Sequence, residues 1–166
     1  IVDYAYHAVA LDEHRAAYDV PLWTSADGHK KQRNLEVEQR WFIGAHANVG
    51  GGYGVKDSLA DLPLQWMLEK AEKAGLKLDP FKAPDDAWQT EPKDSFKEFL
   101  NGAYAWFRKI KGEGDGRFCR SYSEGLNGHP AVNISVDNSV WKRWKDAKFN
   151  YRPRTLTDAD QRPPEQ

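Results

Sequence analysis

His46 is the residue whose type and setting in this sequence are best suited to chemistry. The apolar and aromatic residues Val37, Trp41, Phe42 and Ile43 precede it, and Gly50, Gly51 and Gly52 follow it. Branched and aromatic residues favour a buried strand, whereas glycines mark turns and close backbone approach. The pattern therefore predicts that His46 lies on a loop at the carboxyl end of a strand, where open α/β sheets bind ligands.

An imidazole in this setting is suited to general base catalysis, because it accepts and returns a proton near neutral pH. In serine hydrolases of the α/β type, the chain order is nucleophile, acid, histidine. His46 would be the last of the three, so we expect the nucleophile and the acid to lie upstream of Ile1. Residues 121–125 approach G-x-S-x-G, but serine replaces the first glycine and the segment follows His46. The motif therefore gives Ser123 little support as a nucleophile.

Two other kinds of site receive weaker support from the same region. The glycine run over residues 50–54 matches neither G-x-x-x-x-G-K-[ST] nor G-x-G-x-x-G, so a nucleotide site is a poor fit. His46, Asp57 and Asp61 could converge on a metal, but their spacing is not diagnostic and acidic residues at a helix start are usually caps. The sequence implies no metal and no organic cofactor.

The composition fits one domain or a large part of one. The chain has 166 residues, 40% of them hydrophobic, and its formal net charge is −1, which gives no strong attraction to nucleic acid or an anionic membrane. Cys119 is the single cysteine, so an internal disulfide or a thiolate metal cluster is excluded. The chain opens on Ile1 without a signal peptide. We interpret it as the later portion of a longer protein; a processed or trimmed domain is the alternative.

The residues before the His46 region are predicted to form a helix from Tyr4 to about Arg15. Tyr4, Ala8 and Leu11 share one face at helical spacing. His7 lies on the flank of that face. It could be a ligand or an acid–base group, but a hydrogen-bonded structural histidine is the more common case.

After His46, the pattern predicts helices, one long connection and a short strand. A helix follows the cap at residues 57–58 and ends at Gly75, with Pro63 in its first turn. The connection over 76–130 could form a lid or insertion, and it contains a helix from about Ser95 to Lys111. The aromatic stripe of that helix favours a packing face over an acyl-chain site.

The last part of the chain alternates apolar residues over 131–136, which predicts a strand. Asn138 or Ser139 can cap a final helix that continues through Trp144. Residues 152–166 are expected to be an extended or disordered tail, so the predicted domain covers residues 1–151.

Two segments of the first half carry a family resemblance. They are Tyr6-His7-Ala8-Val9-Ala10-Leu11-Asp12-Glu13-His14-Arg15 with Pro21-Leu22-Trp23, and residues 37–53 with Leu59-Ala60-Asp61 and Trp66-Met67. Together they resemble the bacterial and fungal α/β-hydrolase family long catalogued as a domain of unknown function. That family includes type VI secretion lipase effectors with phospholipase A activity. Residues 136–143 and 151–153 are similar to the family's ending more loosely.

The resemblance implies that His46 is the triad histidine and that the serine and the acid precede this chain. It also implies a structural role for His7, Asp12 and Arg15. The family usually has Ser-Asp after the histidine, where this chain has Ala47-Asn48. Any role of that carboxylate is therefore not transferred to this chain.

These observations lead to an α/β fold class, as the C-terminal portion of an α/β-hydrolase completed by an upstream segment. The first functional hypothesis is a serine hydrolase of lipid or phospholipid acyl esters with His46 as general base, inactive as this chain alone. The alternative is a degenerate, non-catalytic hydrolase module that binds a partner, such as a secretion or immunity protein. A third reading is a glycine-loop phosphate binder. Location inside or outside the cell is left open.

Overall fold

The fold is taken from a computed structural model, which describes residues 3–24, 36–54, 56–98 and 115–165. The described part contains three strands: β1 (Tyr4–Ala10), β2 (Glu36–Phe42) and β3 (Ile134–Val136). Its helices are α1 (His46–Gly50), α2 (Asp61–Lys73), α3 (Ser95–Glu98), α4 (Asn138–Lys145) and α5 (Arg154–Thr157). Short 3-10 turns lie at Ala16–Tyr18, Ser58–Ala60, Ala87–Gln89 and Leu126–Gly128.

The three strands form a parallel sheet in the order β1–β2–β3. Tyr4 is aligned with Glu36 and Ala10 with Phe42, so the carboxyl ends of β1 and β2 lie side by side. A parallel sheet between helices agrees with the predicted α/β class. The strand expected before His46 and the strand expected over 131–136 are both confirmed, β3 being the shorter.

Helices cover both faces of the sheet. Successive strand residues point to opposite faces. Trp41 belongs to a buried cluster with Val140 and Trp144 of α4, whereas Phe42 packs against Trp66 of α2 at 5.7 Å between ring centroids. Along β2 the buried residues Val37, Gln39 and Trp41 alternate with half-exposed charged ones, and only at Phe42 are two consecutive residues buried.

The predicted helix from Tyr4 to Arg15 is wrong, because Tyr4–Ala10 is strand β1. The spacing of Tyr4, Ala8 and Leu11 fits a helix by coincidence, since both faces of a parallel strand are partly buried and no period of two remains. Pairing with β2, more than thirty residues away, decides the conformation.

The predicted helix after His46 is confirmed as α2. Pro63 lies in its first turn, where a missing N–H costs nothing, and Gly75 follows its end with φ +99°. The chain contains no helix, within its described ranges, that is long and apolar enough to cross a bilayer.

The helix predicted from Ser95 begins at Ser95 as α3 and is described as far as Glu98; its aromatic stripe beyond Phe96 lies outside the described residues. The final helix is confirmed as α4, but its cap is Asp137 and not Asn138 or Ser139. The Asp137 carboxylate accepts a hydrogen bond from the Ser139 N–H at 2.9 Å.

The tail differs in part from its predicted extended form. Residues Arg154–Thr157 make a helical turn, and Leu156 is fully buried in the cluster that contains Trp41. A single large apolar residue, Leu156, in a polar, proline-rich segment gives no periodicity, so the sequence pattern could not indicate this turn. The domain boundary at residue 151 and the lid over 76–130 stay predictions.

Candidate active site

His46 is delivered by a tight turn after β2. Gly44 has φ +102°, a backbone conformation that side chains disfavour, and a Cβ there would come within 2.4 Å of the Asn48 Cβ. His46 is then the first residue of α1, and not a loop residue as the sequence predicts. Its position beyond the carboxyl end of a strand is as expected.

Glu13 reaches His46 because β1 and β2 are parallel and in register. After β1, the Asp12 N–H donates to the Gly44 carbonyl at 3.0 Å, which holds the two strand ends together. Glu13 Oε2 then lies 2.5 Å from His46 Nδ1 and accepts a second, longer hydrogen bond from the His46 N–H at 3.4 Å. The structure thus pairs a carboxylate of this chain with the imidazole.

Three groups hold the Glu13 carboxylate in place. Arg15 donates to it from its backbone N–H and its Nε at 3.0 and 3.1 Å, and Ser95 donates from Oγ at 3.1 Å to each carboxylate oxygen. Glu13 is only 1% exposed. Burial alone would raise the pKa of Glu13, but the hydrogen bonds from Arg15 and His46 lower that pKa to about 2. Glu13 is therefore an ionised acceptor at neutral pH.

The ionised carboxylate fixes the imidazole tautomer. Nδ1 carries its proton toward Glu13, which leaves Nε2 with the lone pair. Arg15 Nη2 also lies 3.2 Å from Nδ1, but two N–H donors cannot bond each other, so we assign the Nδ1 proton to Glu13. The arrangement is that of a histidine oriented by an acid.

The imidazole also contacts an aromatic ring on one face and is partly exposed to a cavity. Tyr18 stacks on His46 with 4.4 Å between ring centroids, and the Arg15 guanidinium lies 4.0 Å from the centroid of the same tyrosine ring. The His46 side chain is 35% exposed and lines a cavity of about 480 Å³. No hydrogen-bond partner of Nε2 is found among the described residues.

The cavity runs along the outer edge of β1. It is lined by residues 6–10 of β1 and by Pro63, Leu64 and Met67 of α2, with Arg120 beside them. Consecutive residues of one strand line it, so the cavity follows the strand's edge and not one face of the sheet. Within the described ranges that edge pairs with no other strand.

None of the described hydroxyl or thiol groups is bonded to His46. Ser95 Oγ is bonded to Glu13, and Cys119 Sγ lies near Thr155 and Asp158 at 3.7 and 3.8 Å. Ser123 likewise has no hydrogen bond to His46. The one serine outside the described residues is Ser25.

His7, unlike His46, has no carboxylate partner in the described part of the chain, and the glycine run ends helix α1. His7 Nδ1 lies 3.5 Å from Gln39 Oε1, and burial lowers the pKa of His7, as suits a neutral, structural histidine that also lines the cavity. Gly51 and Gly52 have positive φ and end α1. The described residues contain no group of three or more His, Cys, Asp or Glu side chains that could hold a metal ion.

Sequence reasoning missed Glu13 and Ser95. The helix predicted from Tyr4 to about Arg15 includes Glu13 and gives it no role at a strand end, and Ser95 lies 82 residues from Glu13. The signal that could have found Glu13 is an acid directly after a strand, since parallel strands bring such residues to one edge.

Asn48 occupies the position where the resembling family usually has aspartate. It is 1% exposed, and its Oδ1 accepts hydrogen bonds from the Ala45 and Lys93 N–H groups at 3.0 and 3.2 Å. Its Nδ2 donates to both oxygens of Asp57 at 3.1 and 3.2 Å. The Asn48 amide accepts from two backbone N–H groups and donates to the Asp57 carboxylate. An ionised carboxylate at this position has no proton to donate to Asp57.

We expect Asn48→Asp to destabilise the fold by about 3 kcal/mol, because it buries a second carboxylate against Asp57 and removes the donor. In the double variant Asn48→Asp with Asp57→Asn, the new amide at position 57 can donate to the new carboxylate at position 48. Most of the lost stability should therefore be recovered. Urea unfolding of the single and double variants measures this. Asp57→Asn alone is the control, and an Asn48→Asp loss below about 0.5 kcal/mol would contradict the contact pattern.

Comparison with known proteins agrees with the resemblance found in the sequence. Residues 1–70 match the family model described as T6SS, phospholipase effector Tle1-like, catalytic domain. The family resemblance is therefore confirmed over this segment, which contains Glu13, His46 and the glycine run. The matched family is that of a phospholipase effector catalytic domain.

A second similarity is local. Over 49 residues, or 27% of this chain, the sequence is 37% identical to uncharacterized protein YEL023C of Saccharomyces cerevisiae (strain ATCC 204508 / S288c). The matched stretch spans 7% of the length of that relative. No solved structure matches this chain.

Proposed function

We propose that this chain is part of a serine hydrolase of lipid or phospholipid acyl esters, in which His46 is the general base. The observation that carries the proposal is the 2.5 Å contact between His46 Nδ1 and the buried, ionised Glu13. A carboxylate on Nδ1 leaves the basic lone pair on Nε2, and His46 lines the cavity in which a substrate and a hydroxyl would meet. The match of residues 1–70 to a phospholipase effector catalytic domain supports the substrate class.

In this proposal Nε2 removes the proton of a serine hydroxyl as its oxygen attacks the ester carbonyl. The imidazolium then donates that proton to the leaving alcohol, and a water molecule repeats the sequence to release the fatty acid. Glu13 stabilises the imidazolium and does not itself take the proton. Its role differs from our expectation from sequence, which placed the orienting acid upstream of Ile1; an upstream acid stays a prediction, but Glu13 makes it unnecessary.

We place the nucleophile on a segment outside these residues, one that approaches Nε2 across the cavity at the β1 edge. Two features support this: no described hydroxyl is bonded to His46, and the β1 edge offers unpaired backbone groups beside the imidazole. Lipid substrate and this serine-bearing segment are thus the proposed partners. A secretion or immunity partner is proposed on the family match alone.

No described hydroxyl is hydrogen-bonded to His46, and this also favours a second candidate, a non-catalytic module derived from such a hydrolase. Both candidates predict that the chain by itself neither hydrolyses p-nitrophenyl butyrate above the buffer rate nor reacts with a fluorophosphonate probe. They differ for the longer protein: the hydrolase is labelled by the probe at one serine, and the module is not.

The labelling experiment separates three outcomes by mass spectrometry of the probe adduct. A labelled serine outside these 166 residues supports the proposal. Activity of the chain alone that His46→Ala abolishes would mean that the nucleophile lies within it, and Ser25→Ala would test the one serine not described. No labelling of the longer protein, together with no lipid hydrolysis, would favour the non-catalytic module.

A further inference from the structure

We propose that Asp12 is a positioning residue that fixes the turn carrying His46 against Glu13, and that Tyr151 holds Asp12 in place. The inference rests on the proposed function, since it assigns a task within that site. Asp12 touches neither the imidazole nor the cavity along β1, so its effect must pass through the backbone of the turn.

Two hydrogen bonds in opposite directions join Asp12 to Gly44. The Asp12 N–H donates to the Gly44 carbonyl at 3.0 Å, and the Gly44 N–H donates to Asp12 Oδ2 at 2.7 Å. The pair closes the gap between the ends of β1 and β2. Glu13 is the next residue on one side and His46 is two residues on from Gly44, so the separation of these two side chains depends on this link.

The same oxygen of Asp12 accepts a hydrogen bond from Tyr151, at 2.7 Å from the phenol oxygen. Tyr151 lies 139 residues further along the chain, and the Arg143 guanidinium is 5.5 Å from the centroid of its ring. Arg143 in turn donates to the carbonyls of Trp88 and Thr90 at 2.8 and 2.9 Å. Residues of the C-terminal part of the chain thereby hold the Asp12 carboxylate in position.

This positioning of Asp12 matters because the Glu13–His46 contact is short and directional. A displacement of about 1 Å in catalytic geometry can cost on the order of a hundredfold in rate. Asp12 and Tyr151 supply two well-formed hydrogen bonds at the one turn whose movement would cause such a displacement. Neither residue has another described role in the cavity.

The test compares Asp12→Ala with the conservative Asp12→Asn and with Tyr151→Phe in the complete protein. Asp12→Ala removes the acceptor of the Gly44 N–H, so kcat should fall about 10- to 100-fold with KM within about threefold. Asp12→Asn keeps an acceptor and should recover most of the loss. The kcat of Tyr151→Phe should lie between those of Asp12→Ala and Asp12→Asn. Asp137→Ala, which loses a carboxylate that caps α4, is the matched control and should leave kcat unchanged.

A second readout is independent of turnover: the Nδ1 proton of His46 in protein labelled with 15N-histidine, assigned with His46→Gln. A short hydrogen bond to Glu13 makes this proton strongly deshielded. Asp12→Ala should shift or abolish that resonance, Tyr151→Phe should shift it less, and Asp137→Ala should not change it.

The two readouts separate failure of this inference from failure of the proposed function. A wild-type protein without the deshielded proton would count against the Glu13–His46 pair and so against the function. A wild-type proton that Asp12→Ala and Tyr151→Phe leave unchanged, with unchanged kcat, would overturn the role of Asp12 alone. If Asp12→Ala does not fold, Tyr151→Phe decides by the same criteria.

Discussion

Under the proposed hydrolase function, replacing His46 with Gln should lower kcat of the longer protein by a factor on the order of 10⁴ to 10⁶, because the proposed general base for the serine is then lost. Gln keeps a comparable volume and a hydrogen-bond donor toward Glu13. Since His46 is partly exposed in a short helix, the substitution should change the melting temperature little. Initial rates on a phospholipid and circular dichroism melts of the same preparations measure the two effects.

His7→Gln is the matched control for this change. His7 lines the same cavity, but its Nδ1 faces Gln39 and not a carboxylate. Its replacement should change kcat by less than about tenfold. Near wild-type turnover in His46→Gln, or a larger loss in His7→Gln, would require us to withdraw the assignment of His46.

Glu13→Gln is expected to lower kcat by about 10³- to 10⁴-fold, because a neutral amide no longer fixes the tautomer or stabilises the imidazolium. Arg15 would also lose its carboxylate partner, so stability should fall as well. Glu38→Gln is the matched control: Glu38 pairs with Lys70 at 2.6 Å and Arg40 at 2.7 Å, away from the imidazole. It should cost stability with little effect on kcat.

Glu13→Gln should also alter the dependence of stability on pH. The pKa of Glu13 is lowered from 4.5 to about 2, so its stabilising contribution is complete above about pH 4.5 and is lost as the pH falls toward 2. Melting temperatures between pH 2 and 5 should therefore fall more steeply in the wild type than in Glu13→Gln. Lys73 and Lys70 lower the pKa of Glu36 to about 2 as well, so both proteins are compared in a Glu36→Gln background. Parallel curves would show that Glu13 is not ionised and paired in the fold.

The local sequence pattern was enough to predict several secondary-structure elements of this protein and the candidate base His46. The apolar residues before His46 predicted β2, the segment from residues 57–58 to Gly75 predicted α2, and alternation over 131–136 predicted β3. The final helix through Trp144 was also predicted, although its cap is Asp137 and not Asn138 or Ser139. His46 itself was chosen as the candidate base from neighbours no more than nine residues away. These predictions succeeded because periodicity, glycines and caps act over short stretches of chain.

Only the tertiary structure decided what surrounds His46. Residues 4–10 carry a spacing that fits a helix, yet pairing with β2 makes them a strand. That register helps to bring Glu13 to His46 across 33 residues, and the position of α3 brings Ser95 to Glu13 across 82. Tyr151 reaches Asp12 across 139 residues. Such contacts depend on which segments pair and pack, a property of the whole chain that no local period encodes.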